Sequence, residues 1–94
     1  MKRAEETGKI LDECKEILKQ RGEQYGDAFS LYDRTSYYWT GFLRGAKNID
    51  GKEVCIMMSL MKLARLDQTT DPDVRRDTYR DMINYIALAE NLDK

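Results

Sequence analysis

The chain has no histidine, one proline and only two cysteines among 94 residues. Without histidine there is no Ser-His-Asp triad, no Cys-His pair, no His-ligated zinc and no imidazole proton shuttle. Any chemistry falls to carboxylates, Lys, Arg, Tyr, Ser/Thr or the two thiols. Cys14 and Cys55 form no CxxC spacing, and each falls inside an apolar helical pattern. Both are expected as reduced, core-filling residues. No stretch approaches the roughly 18 consecutive apolar residues of a membrane span. The first residues are charged and lack the apolar core of a signal peptide. The expectation is a cytoplasmic protein with no membrane partner. Charge of one sign is also missing: 16 basic residues face 17 acidic ones, for a net of −1. Residues 1–47 carry nine basic and eight acidic groups, and residues 48–94 seven and nine. Polymeric nucleic acid selects a strong basic bias, so it is not an expected partner.

What is present is helical periodicity. The length suits a single domain with a modest core. Four helices are predicted, over about 3–21, 28–44, 51–66 and 72–91, giving an all-α, compact bundle with short loops. In the first, Ile10, Leu11, Cys14, Ile17 and Leu18 recur at one-turn spacing, and Gly22 suits its C-terminal cap. Asp27 suits the cap of the second, where Phe29, Tyr32, Trp39, Phe42 and Leu43 can share a broad face. Asp50 with Glu53 forms a capping box for the third. Apolar residues from Val54 to Leu66 cover nearly the whole circumference of that helix, so it is expected to be buried all round. One small subunit can hardly cover it, which points to a homo-oligomer. Asp71-Pro72-Asp73 starts the fourth helix, with Val74, Met82, Ile83, Ile86, Ala87 and Ala89 as its expected inner side.

Three constellations carry candidate chemistry. Asp77 and Asp81 lie one turn apart with Tyr85 a turn further on. Two such carboxylates can share a divalent cation, with Glu53 adding an oxygen from the third helix. They can equally belong to an ion-paired surface with Arg75, Arg76 and Arg80. Lys62 and Arg65 interrupt the apolar third helix, and each needs an anion if buried. That anion is either an internal Asp77 or Asp81, or a ligand phosphate. Tyr25, Tyr32, Tyr37, Tyr38 and Trp39, with Arg34 beside them, exceed what packing needs. Aromatics beside cations stack bases, and they also build subunit interfaces.

Three blocks carry a resemblance: Arg21…Tyr25-Gly26-Asp27 with Trp39; Glu53-Val54…Met57-Met58…Lys62-Leu63-Ala64-Arg65; and Asp77…Asp81…Tyr85 followed by Ala87-Leu88-Ala89. Together they resemble a family of small, functionally uncharacterised helical proteins of tailed phages and prophages. That family is distantly similar to the MazG-type all-α nucleotide pyrophosphohydrolases, helical oligomers that hold magnesium with an ExxE pair on one helix and an ExxD pair on the next. Here only Glu53 stands as an acid on the third helix, with Ile56 three residues on, and Asp77 and Asp81 are four apart. The acidic quartet is incomplete, so the resemblance implies a nucleotide-shaped pocket more than hydrolysis.

The leading expectation is a non-catalytic nucleotide-binding protein with no cofactor. Its oligomer would sequester a nucleotide signal of host defence, a cyclic oligonucleotide or an ADP-ribose derivative, in the host-cell cytoplasm. Lys62, Arg65, Tyr25, Tyr37, Tyr38, Trp39, Arg34 and Tyr85 are the candidate ligand contacts. One alternative is a magnesium-dependent pyrophosphohydrolase with Glu53, Asp77 and Asp81 as metal ligands. Another is a protein-interaction module built on the tyrosine-rich second helix.

Overall fold

A computed structural model describes residues 2–93, with Tyr25 described by its backbone alone. The described residues form four helices and no strand: α1 (Lys2–Tyr25), α2 (Ala28–Phe42), α3 (Gly51–Gln68) and α4 (Pro72–Leu92). The all-α reading holds.

Local chemistry sets the helix ends. Asp27 accepts from the Phe29 N–H at 3.0 Å and caps α2. Asp50 accepts from the Glu53 N–H at 2.8 Å while Glu53 accepts from the Asp50 N–H at 3.3 Å, which closes the capping box of α3. Asp71 accepts from Asp73 at 2.9 Å and Val74 at 3.4 Å, with Pro72 opening α4. The end of α1 differs most from expectation, whereas α2 stops at Phe42 and α3 runs to Gln68, each two residues from its expected end. Gly22 stays helical, and the left-handed position falls on Gly26 at φ 79°, whose N–H donates to the Gly22 carbonyl at 2.9 Å. A left-handed residue costs a non-glycine side chain its Cβ clearance, so the helix runs on to the next glycine that is followed by a cap.

Packing centres on the α3–α4 pair, with α2 docked on α3 and α1 on α4. The pair is antiparallel. Lys52 meets Asp93 at one end (3.2 Å), Lys62 meets Asp81 in the middle (3.1 Å), and Arg75 donates to the Leu66 carbonyl at the other end (2.8 Å). Val54, Cys55, Ser59 and Leu66 of α3 are buried against Thr78 and Ala89 of α4, and Cys14 anchors α1. Both cysteines are free and buried. The loop after α2 is pinned by Thr40, whose hydroxyl accepts from the Ile49 N–H at 2.9 Å and donates to the Ile49 carbonyl at 3.3 Å.

Three packing expectations are corrected. In α3, one face is buried while Ile56, Met57, Leu60, Met61 and Leu63 are exposed, because α2 and α4 cover only part of its circumference. In α4, the inner stripe runs through Thr78, Met82, Tyr85 and Ala89, whereas Val74, Ile86 and Ala87 face outward. Phe42 is 86% exposed, because it lies beside Leu31 and Tyr38 on the outer face of α2. The molecule is also more extended than expected. Its radius of gyration is 14.9 Å over a 49 × 28 × 25 Å envelope, against about 12 Å for a compact chain of this length. Its accessible surface is 7349 Å², against about 5,600 Å² for a typical monomer of its mass.

Candidate functional site: a tyrosine-walled cleft between α1, α2 and α4

The Gly26-Asp27 turn sends α2 away from α1, and α4 runs past the opening. The result is a cavity of about 400 Å³. The last two turns of α1 contribute Ile17, Leu18 and Arg21, and Gly22 leaves room where any side chain would project. From α2 come Phe29 and Tyr32, and from α4 Asp81, Asn84, Tyr85 and Leu88. The rings of Tyr32 and Tyr85 meet edge to face, with centroids 6.3 Å apart and planes at 64°. This is a favoured aromatic geometry.

Polar groups converge on one wall. Asp81 binds the Lys62 ammonium at 3.1 Å from the α3 side and the Arg21 guanidinium at 3.7 Å from the cleft side. Arg21 remains 58% exposed, so its donors are mostly in water. Asn84 donates through Nδ2 to the Cys14 carbonyl at 3.0 Å, which ties α4 to α1. Burial raises the Tyr32 phenol to about 12. The Tyr85 phenol is raised by burial and then by the Asp81 charge. Both hydroxyls therefore stay protonated at neutral pH and act as donors. An apolar cavity with a few convergent polar groups is the usual form of a small-molecule site.

The residues singled out from the sequence separate into several places. Asp81 and Tyr85 line the cleft, and Lys62 supports it through Asp81. Arg65 and Asp77 are exposed, so Arg65 has no need of the buried anion expected for it. Glu53 is held in the capping box and lies 3.7 Å from Lys47. It sits beside Lys52, whose partner is Asp93, at the end of the helix pair remote from Asp77. Glu53, Asp77 and Asp81 are thus not brought together, and no group of three potential metal-ligating side chains converges among the described residues. Tyr37 and Tyr38 stand edge to face at 5.8 Å beside a second, open depression that Arg44 and Asn48 also line. Trp39 is half-buried and Arg34 exposed on α2, and neither lines the cleft. The Tyr25 side chain lies outside the described residues. The sequence offered Tyr32 only as one of an aromatic cluster, and it assigned no site role to Arg21 or Asn84. The signal for Arg21 was its place in the Arg21…Tyr25-Gly26-Asp27 block. Asn84 gave none.

The fold and the cleft define a small all-helical chain with an aromatic-walled cavity among its described residues. A family model described as a domain of unknown function, DUF6378, matches residues 9–93, and the chain belongs to that family. It is 31% identical over 84 residues to the Gene 55 protein of Mycobacterium phage L5. That match covers 88% of this chain and 51% of the relative, so the chain spans about half the length of the phage protein. No solved structure matches the chain. Kinship with a phage protein is thus established, as expected.

Proposed function

We propose that the protein is a non-catalytic nucleotide-binding protein whose ligand occupies the α1–α2–α4 cleft. The observation that carries this is the union, in about 400 Å³, of two tyrosine rings, apolar walls and the Arg21–Asp81–Lys62 chain of charges. Aromatic walls accept the face of a base, and an exposed guanidinium at the rim accepts phosphate oxygens. Binding rather than hydrolysis is supported by Lys62, whose ammonium pairs with Asp81 at 3.1 Å, and by the separation of Glu53 from Asp77 and Asp81. The phage relative motivates a nucleotide signal of host defence as ligand, either a cyclic oligonucleotide or an ADP-ribose derivative.

The test is isothermal titration of the full chain with cyclic dinucleotides, ADP-ribose derivatives and nucleoside monophosphates. Heat from at least one class, abolished by Arg21→Ala and weakened by Tyr32→Leu, is expected. No heat from any member, with folding verified by circular dichroism, overturns the reading.

The protein works as a homo-oligomer in this proposal. The support is the surplus of surface together with the exposed Ile56, Met57, Leu60, Met61 and Leu63 of α3. Surplus apolar surface of this size is what a subunit interface hides. Sedimentation at micromolar concentration is expected to give a multiple of 11.0 kDa, reduced to the single chain by Leu60→Glu. A monomeric wild-type chain removes this part. If the wild-type chain also binds no nucleotide, docking of a different protein on the Leu31–Tyr38–Phe42 stripe of α2 becomes the better reading.

A further inference from the structure

Two α4 residues of the cleft wall, Asp81 and Asn84, carry acceptor oxygens. Asn84 spends its Nδ2 on the Cys14 carbonyl at 3.0 Å. Flipping the amide would set Oδ1 against that carbonyl, acceptor facing acceptor, so the orientation is fixed by the α1 backbone. The Oδ1 atom accepts no hydrogen bond among the described residues. No side-chain polar atom among those residues is both sealed from solvent and unpartnered, so Oδ1 reaches solvent, and Asn84 is one of the residues that line the cavity. Asp81 lies three residues earlier, one turn along the same helix face, and lines the same cavity. Its Oδ1 has only the 3.7 Å contact with Arg21, while Lys62 takes Oδ2. Two residues one turn apart on α4, each with an acceptor oxygen not taken by a close donor, thus line the cavity that Tyr32 and Tyr85 also line.

Such a wall discriminates by chemistry. An exocyclic amine carries two N–H donors and can meet both oxygens. A keto oxygen in its place meets two acceptors with lone pairs facing, and a base with only hydrogen there leaves both unmet. A site built around hydrogen bonds rejects the analogue lacking them more strongly than an apolar pocket rejects a change of size. Resting on the nucleotide reading of the cleft, we infer that this protein selects nucleotides whose base carries an exocyclic amine, with Asn84 as the specificity-determining residue. Asp81 supplies the second acceptor, and Arg21 at the rim remains for phosphate.

Titration of the full chain with adenosine, inosine and purine riboside 5′-monophosphates tests this. If only cyclic dinucleotides give heat, cyclic di-AMP is compared with cyclic di-IMP. The amino form is expected to bind about tenfold or more tightly than the others, the scale of one net hydrogen bond. In Asn84→Ser, with its melting curve checked, that preference is expected to shrink. Equal affinities in the wild-type chain overturn the amine selectivity while leaving nucleotide binding intact. Absence of heat from every nucleotide overturns both.

Discussion

The Lys62 ammonium and the Asp81 carboxylate meet at 3.1 Å between α3 and α4, with side chains only 16% and 19% exposed. An ammonium in that position is held by its counter-ion, and the carboxylate it neutralises forms part of the cleft wall. Removing either partner leaves a largely dehydrated charge. Lys62→Met is expected to destabilise the fold by about 1–3 kcal/mol, below the roughly 3–5 kcal/mol of a fully buried pair because some solvent reaches both groups. The double variant Lys62→Met/Asp81→Leu is expected to recover most of that loss. Urea unfolding of the four proteins measures the coupling, and simple additivity of the two single losses would refute it.

Arg21 stands in contrast on the other side of Asp81. Its contact is longer, 3.7 Å, and its side chain is 58% exposed. Arg21→Ala should change stability by no more than about 0.5 kcal/mol, as an exposed ion pair does. It should nonetheless cancel any rise in melting temperature produced by a bound nucleotide. A variant that melts like the unliganded wild type whether or not ligand is present would separate rim chemistry from packing, and one that keeps the full rise with ligand would refute the role of Arg21.

Arg44 adopts φ 55°, immediately before Gly45 at φ 74°. The left-handed region costs an L side chain on the order of 1 kcal/mol, a cost glycine avoids. Arg44→Gly is expected to raise stability by about 0.5 kcal/mol, part of the gain being lost to the greater freedom of the unfolded chain. Thermal unfolding checks the sign. A lowered melting temperature would mean that the Arg44 side chain contributes more than its backbone costs.

Alkaline pH should weaken the fold. Burial raises the Cys55 thiol to about 11 and the Tyr32 phenol to about 12. Each ionises more readily in the unfolded chain, near pH 9 and pH 10 respectively. Above those values the unfolded state loses protons that the folded state keeps, so stability falls as pH rises. The full contribution is present below about pH 9 and is lost between there and pH 12. Melting temperatures from pH 7 to 11 should decline from about pH 9 upward, and Cys55→Ala should flatten the first part of that decline. A flat profile for the wild-type chain would contradict the burial of both groups.

Much of the fold was legible because capping chemistry is local. Asp27, Asp50 with Glu53, and Asp71 with Pro72 each specify a helix start within four residues, and those starts agree with the sequence. The end of α1 was misplaced because Gly22 and Gly26 both offer a left-handed position, and only the second is followed by a cap. Burial was less legible. The sequence of α3 is apolar all round, yet which side meets α4 depends on a neighbour that joins it twenty residues later. The site was split for the same reason. Asp81 and Tyr85 carry a helical spacing visible in the sequence, while Arg21, Tyr32 and Asn84 reach the same cleft from three helices. The role of Asn84 depends on a carbonyl seventy residues away, a separation that no local pattern records.

The attachment of α1 has a consequence of its own. This helix rests on α4 through Cys14 and the half-buried Ile10, Ile17 and Leu18, while Lys2–Thr7 are exposed throughout. Segments with few buried contacts open at lower free energy than the rest of a domain. In native-state hydrogen exchange the α1 amides should therefore form the fastest-exchanging helical block, ahead of the α3–α4 pair. The last turns of α1 also supply Ile17, Leu18 and Arg21 to the cleft. A molecule seated there closes that opening, slowing α1 exchange in proportion to its concentration over its dissociation constant. Protection of this one helix thus reports occupancy directly, so an unlabelled extract can be screened for the natural ligand before its chemistry is known.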